Sequence, residues 1–425
     1  MLRRSSDYFT MLKSHTKSIV EILGRSPIHP FPARMAPGIA LEALGDNMAP
    51  LRVLDPMAGS GTVLAVARSK GHRAFGVDID PLAVLLASVW TRTADSEETI
   101  DKAVEVLYRA KETLRLLSAG RAYPAESDPE TRTFIRYWFD EHARRQLAAL
   151  SISIRRVRNR HIRDVLWCGF SRLIITKQAG ASLAMDLSHS RPHRRFTRAP
   201  VMPFDRFIVA VQAVVSNCPQ LQSGKVGPVS VVKHGDARRL DFQNDSIDLV
   251  LTSPPYLNAI DYMRCSKFSL VWMGYNICEL RQIRRESVGT EASLGHAMES
   301  SWVRSLIKEL RLKPALAGRE QALLATYVWD INLALAEVSR VLRPDGRAVY
   351  VVGDSMIRGT FVRNSAIVTA AAERQGLSLE LRVSRSLPDN RRYLPPPSPI
   401  MSKATMDSRM RREVVLSFSK RLVSP

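Results

Sequence analysis

The run Asp248-Leu249-Val250-Leu251-Thr252-Ser253-Pro254-Pro255-Tyr256 sets the tightest limit on what this chain can become. An acid followed by a short apolar run reads as a buried strand, and the prolines stop it because neither can donate a ladder hydrogen bond. The strand must therefore end in a stiff loop. That loop presents a serine hydroxyl, backbone carbonyls not consumed by secondary structure, and an aromatic ring. In open α/β sheets the carboxyl end of a strand is where ligands bind. A Pro-rich surface turn would account for the stretch equally well on its own, so a second stretch has to decide.

That second stretch is Val53-Leu54-Asp55-Pro56-Met57-Ala58-Gly59-Ser60-Gly61-Thr62, followed by a helix-like segment from Val63 to Lys70. A strand, a tight Gly-x-Gly turn and a helix start make a cradle: glycines let backbone approach a ligand, and the helix N-terminus offers free N–H groups. The chain continues into Ala74-Phe75-Gly76-Val77-Asp78-Ile79-Asp80-Pro81, a second strand that ends in acid. A carboxylate there can accept from the two hydroxyls of a ribose. The turn lacks the third glycine of the dinucleotide fingerprint, which points away from a pyrophosphate.

Occurring together in this order, the Asp55–Thr62 and Ser253–Tyr256 motifs resemble those of the S-adenosylmethionine-dependent DNA amino-methyltransferases, which methylate cytosine N4 or adenine N6. The Ser-first tetrapeptide looks more like the cytosine-N4 enzymes. The resemblance implies S-adenosyl-L-methionine as cofactor, held by Phe31, Asp55, Pro56, Ala58, Gly59, Gly61, Thr62, Asp78, Ile79 and Asp236. In that scheme Asp55 reaches toward the amino group of the methionine moiety, Asp78 takes the ribose, and Asp236 accepts from the adenine amine. Asp80 is the alternative ribose acid, or else a cap for a helix starting at Pro81. The segment His29-Pro30-Phe31-Pro32-Ala33-Arg34 would fold over the methionine end of the cofactor. Ser253, Pro254, Pro255 and Tyr256 would form the catalytic loop.

Lys and Arg outnumber Asp and Glu by 62 to 41 in 425 residues, a formal net charge of +21. Such a balance points to a polyanionic partner. Arginines cluster at Arg155–Arg160, Arg191–Arg195 and Arg281–Arg285. The expected partner is double-stranded DNA with its target base flipped out, and the resemblance leaves room for a cognate restriction endonuclease. Cys168, Cys218, Cys265 and Cys278 lack paired metal spacing, so reduced thiols in a cytoplasmic protein, with no metal site, are expected. No apolar stretch is long enough to cross a bilayer, and the N-terminus lacks the h-region of a secretory signal.

Taken in order, residues 1–26 read as an N-terminal arm, with an amphipathic hint in Tyr8, Met11, Ile19, Ile22 and Leu23. Residues 27–95 make the first, cofactor-binding part of a methyltransferase core, with helices over 37–48 and 81–90. Residues 96–227 form a helical insertion, a candidate for DNA recognition, with helices over 103–117, 134–158 and 161–175; its aromatics at helical spacing read as core. Residues 228–264 hold a third strand ending at His234-Gly235-Asp236 and the catalytic loop, where Tyr262 is either pocket or packing. Residues 265–320 form a second insertion, the other candidate for target recognition. Residues 321–425 complete the core with a helix to Val341, a Pro344-Asp345-Gly346 turn, a strand over 348–352, a helix over 361–375, a strand over 377–383, the proline-rich loop 387–399 and a strand over 413–418. That is an α/β fold: a doubly wound, mostly parallel, seven-stranded Rossmann-like sheet with helical insertions, its last two strands antiparallel.

An exocyclic amine is a poor nucleophile because its lone pair is delocalised into the ring. A rigid loop that accepts hydrogen bonds from both N–H groups makes it more sp³-like, and the resemblance gives that task to the Ser253 hydroxyl and the Pro254 carbonyl while Tyr256 stacks on the flipped base. Serine is a weak base, so the amine proton is expected to leave to water after transfer. RNA base methylation, a protein-glutamine methyltransferase of the Asn-Pro-Pro-Tyr type and a DNA-binding regulator with a methyltransferase shell are the competing readings.

Overall fold

The structure, a computed structural model, describes residues 17–31, 35–45, 49–185, 187, 192–220, 228–257, 262–290, 296–386 and 412–420. Tyr8, Met11, Pro32 to Arg34, His189 to Arg191, Asn258 to Asp261 and the proline-rich loop 387–399 lie outside them.

The strands are β1 (Arg52–Asp55), β2 (Arg73–Asp78), β3 (Ser230–His234), β4 (Ile247–Thr252), β5 (Leu342–Gly353), β6 (Ser355–Ile357), β7 (Thr360–Val362), β8 (Leu377–Ser386) and β9 (Arg412–Lys420). Seven of them form one sheet in the order β3-β2-β1-β4-β5-β9-β8. The first five positions pair in parallel, and β9 runs antiparallel to both of its neighbours. The expected α/β sheet is therefore present with all its strands, and its last two are antiparallel.

The period-2 alternation of side chains fixes what each face of the sheet buries. Leu249 and Leu251 of β4, with Val349 and Val351 of β5, pack toward the helices Pro37–Leu44 and Thr62–Ser69. Val250, Ala348, Tyr350 and Val352 face the opposite way, into a core completed by the helices Gly318–Val341 and Asn364–Arg374. Burial on both faces explains why β4 reads as an unbroken apolar run.

Between β2 and β3 the helices Ser96–Leu116, Pro129–Trp138, Glu141–Arg155, Arg160–Ile174 and Pro203–Val215 pack on Pro81–Trp90 as one continuous core. The expected aromatic core is there: Phe139 and Phe170 are fully buried. Trp272, from the stretch after β4, joins them with ring centroids 5.3 Å from Phe139 and 6.5 Å from Phe170, and the Ser151 hydroxyl donates to its carbonyl at 2.7 Å. The stretches 96–227 and 265–320 thus share packing.

Several boundaries differ from expectation for local reasons. The single helix expected over 134–158 breaks at Phe139, because Asp140 takes an extended conformation and caps a new helix, accepting from the Ala143 N–H at 3.1 Å. The start of the helix expected at Phe361 is instead a hairpin, β6 to β7, turned by Arg358 and Gly359 at φ 46° and 85°. Positive φ at both central residues is the type I′ form of a two-residue hairpin turn. The Pro344-Asp345-Gly346 turn lies inside β5, where extra residues bulge out between the pairs Ile247/Leu342 and Leu249/Arg347 and Asp345 sits at φ 61°. The helix beginning at Pro37 stops at Leu44, with Gly45 at φ 61°.

Candidate active site

The strand order reverses between β1 and β4, whose carboxyl ends lie side by side. A crevice opens at such a switch point. Under it the Thr252 hydroxyl donates to Asp55 Oδ1 at 2.7 Å, and the Met57 N–H donates to the same oxygen at 3.1 Å. The last residue of β4 is thereby tied to the last residue of β1. Asp55 is 3% exposed. Burial pushes its carboxyl up to about 7, against the opposing pull of the Thr252 and Met57 bonds, and nearby Asp78 adds to the rise.

The Gly turn is built for close approach. Gly59 and Gly61 lie at φ 51° and 85°. A Cβ on Gly61 would stand 2.9 Å from Cα and Cβ of Ala87, so the helix Thr62–Ser69, which Gly61 caps, can pack on Pro81–Trp90 only with glycine there. The Gly59 N–H donates to Asp78 Oδ2 at 2.7 Å and the Asp80 N–H to Asp78 Oδ1 at 2.9 Å, so this carboxylate organises the turn. Burial raises Asp78 above the ordinary carboxylate range. Asp80 caps its helix, accepting from the Leu82 N–H at 2.9 Å and from the Ser266 hydroxyl; burial, with Asp78 nearby, pushes it up to about 7.

These elements enclose a cleft of about 450 Å³. Of the residues singled out by sequence, Phe31, Pro56, Gly59, Asp78, Ile79, Asp236, Ser253, Pro255 and Tyr256 line it, as do Asp80 and Tyr262. Asp55, Ala58, Gly61, Thr62 and Pro254 are not on the lining; Asp55 lies beneath it, its Oδ1 spanning the two loops. Phe31 and Tyr262 stack across the cleft at 6.1 Å. The Asp236 carboxylate is gripped by Arg238, with Nη2 to Oδ2 at 2.7 Å and Nε to Oδ1 at 3.1 Å. Arg238 is braced in turn by Asp330 at 2.6 Å.

In the Ser253–Tyr256 loop the Ser253 hydroxyl donates to the Val351 carbonyl of β5 at 3.0 Å and lies 3.3 Å from the Tyr256 hydroxyl. Tyr256 donates to Glu413 Oε1 at 3.3 Å, and Arg385 Nε donates to Glu413 Oε2 at 3.0 Å. Sequence reasoning missed Glu413 and Arg385. The available signal was an acid opening the otherwise apolar run Val414-Val415-Leu416.

The opposite lip is basic. Arg281, Arg284 and Arg285 stand on one face of the helix Ile277–Glu286 and line the cleft together with Arg264 and Arg319. The Arg281–Arg285 cluster seen in the sequence therefore sits at the mouth, whereas Arg155 to Arg160 do not line it. Among the described residues no group of three or more His, Cys, Asp or Glu could hold a metal ion, and no helix is long and apolar enough to cross a membrane.

No family model matches the chain. The Type II methyltransferase M.AvaI of Nostoc sp. is 23% identical over 365 residues, spanning 77% of this chain and 73% of the relative. M.MvaI of Kocuria varians, also a Type II methyltransferase, is 21% identical over 413 residues, spanning 91% and 88%. These relatives bear out the resemblance read from the motifs. Among solved structures, a TehB-like S-adenosylmethionine-dependent methyltransferase from Corynebacterium glutamicum is 13% identical and covers 98% of this chain and 96% of its own, at a TM-score of 0.29. That score adds nothing to the fold, which rests on strand order and direction.

Proposed function

We infer that this chain, similar along most of its length to Type II methyltransferases, transfers a methyl group from S-adenosylmethionine to the exocyclic amine of a DNA base, cytosine N4. The observation that carries the reading is the meeting, on one cleft at the switch point, of the Gly59 turn and Asp78 with the Ser253–Tyr256 loop. The residues fit the cofactor: the buried carboxylates of Asp55 and Asp80 and the half-buried one of Asp78 gather around a concave site, suited to a ligand that carries sulfonium and ammonium charge and a ribose diol.

When bound, S-adenosylmethionine supplies an electrophilic methyl. Everything else falls to the chain. Asp78, Ile79 and Asp236 are our choice for the nucleoside end, with Gly59 and Pro56 at the turn and Phe31 covering the site; Ala58, Gly61 and Thr62 shape the turn from behind. Ser253 commits its proton to the Val351 carbonyl, which leaves its lone pairs for a substrate N–H. The resemblance gives the second acceptor to the Pro254 carbonyl, although Pro254 is buried off the cleft lining, and Pro255 keeps the loop stiff. Catalysis of this kind is mostly positioning. Tyr256 offers a ring for a base that has left the duplex, and the arginines at the lip meet its phosphates. Serine as the first residue of the loop favours cytosine.

Replacing Ser253 by alanine tests this directly. Turnover is expected to fall on the order of a hundredfold, as when a positioned hydrogen-bonding group is removed from an active site, with cofactor binding retained. A purified Ser253→Ala protein with unchanged turnover would exclude the assignment.

A further inference from the structure

Behind the Ser-Pro-Pro-Tyr loop, on the antiparallel strands β8 and β9, lies a buried ion pair that the proposed chemistry has not used. Glu413 is 8% exposed, and Arg385 bonds to its Oε2 through both Nε and Nη2, at 3.0 and 2.5 Å. The other oxygen, Oε1, takes the Tyr256 hydroxyl at 3.3 Å. Burying such a pair is costly, and replacing a buried pair by packed apolar side chains is often neutral or stabilising.

The proton arithmetic of the loop gives the pair a purpose. Ser253 and Tyr256 own one hydroxyl proton each. Ser253 gives its proton to the Val351 carbonyl and Tyr256 gives its own to the Glu413 carboxylate, which can only accept. Neither proton is then aimed into the cleft, and the Ser253 oxygen faces a substrate amine as an acceptor. Were the Tyr256 proton free to turn, Ser253 Oγ stands within reach at 3.3 Å, and a proton there would occupy a lone pair that the amine needs. Contacts of 3.3 Å are long for hydroxyl bonds, as catalytic contacts often are before substrate arrives.

We propose that Glu413, fixed by Arg385, is a positioning residue that holds the Tyr256 hydroxyl proton away from Ser253 and so keeps the loop an acceptor for the base amine. This rests on the reading of Ser253 as the amine's acceptor. Glu413→Gln is the decisive variant: its amide can donate to the Tyr256 oxygen, which turns the tyrosine proton toward Ser253.

The test is single-turnover methylation of DNA by the full chain, comparing Glu413→Gln with its parent twice, once beside Tyr256 and once in a Tyr256→Phe background. Beside Tyr256 the substitution is expected to slow methyl transfer about tenfold while leaving the cofactor Kd within about twofold. In the Tyr256→Phe background, with no tyrosine proton to misdirect, it is expected to change the rate by less than about twofold. Equal losses in both backgrounds would overturn the proposal, since a merely structural ion pair acts whatever stands at position 256; so would no loss in either. Should Glu413→Gln fail to bind cofactor, Glu413→Asp makes the same comparison, because the shorter side chain keeps its charge beside Arg385 but withdraws from Tyr256. A parent protein that methylates no DNA at all would instead sink the functional reading on which the proposal stands.

Discussion

Thr252→Val removes one hydroxyl and keeps the shape of a side chain that is fully buried at the end of β4. Its partner is Asp55, 2.7 Å away, whose carboxyl burial has pushed up to about 7. Folding raises this pKa from 3.8, so the stability that the neutral carboxyl contributes is fully present below about 3.8, falls as the pH rises between the two values, and is lost once the pH passes about 7 and the charge appears in the folded state. At pH 8 the carboxylate is charged, and losing a hydrogen bond to a charged group costs about 1.5–3 kcal/mol. At pH 5.5 the carboxyl is neutral, and the cost falls to about 0.5–1.5 kcal/mol. Urea unfolding of parent and variant at both pH values measures the difference. In an Asp55→Asn background the cost of Thr252→Val is expected to be small and independent of pH. A cost that is equal at the two pH values with Asp55 present would refute the view that a buried, titrating carboxylate joins the end of β1 to the end of β4.

Other consequences follow from the same geometry. Gly61→Ala combines a positive φ with a 2.9 Å approach to Ala87 and is expected to cost about 2–5 kcal/mol in thermal or urea unfolding; a change below about 0.5 kcal/mol would mean the helices can part freely. Cofactor affinity measured by calorimetry is expected to tighten as pH rises from 6 to 8, because a cationic ligand favours the ionised forms of Asp55 and Asp80, both held near 7; a flat profile would contradict this. Arg284→Gln and Arg285→Gln are each expected to weaken DNA binding across all sequences and to lower the slope of log affinity against log salt by about 0.9, and an unchanged slope would remove them from the phosphate contacts.

Much of this was legible because the strongest signals are local. The apolar run of β4, its Pro-Pro stop and the acid ending β2 each declare themselves within a few residues, and together they locate the switch point. Register decided what was hidden. Glu413 meets Tyr256 only because β9 inserts between β5 and β8 with Glu413 opposite Gly353, a pairing of strands distant in sequence. The brace that Asp330 gives Arg238 was equally hidden, for it arrives from a helix far along the chain. The misread boundaries have a different origin: Asp140 and the Arg358-Gly359 pair are ordinary capping and turn residues set inside apolar periodicity strong enough to mask them.

The central claim is tested most directly by mass spectrometry of nucleosides from DNA of varied sequence, after incubation with the purified protein and S-adenosylmethionine. N4-methylcytosine is the expected product. N6-methyladenine would keep the mechanism and correct the base. No methylated nucleoside, with cofactor binding verified, would contradict the account.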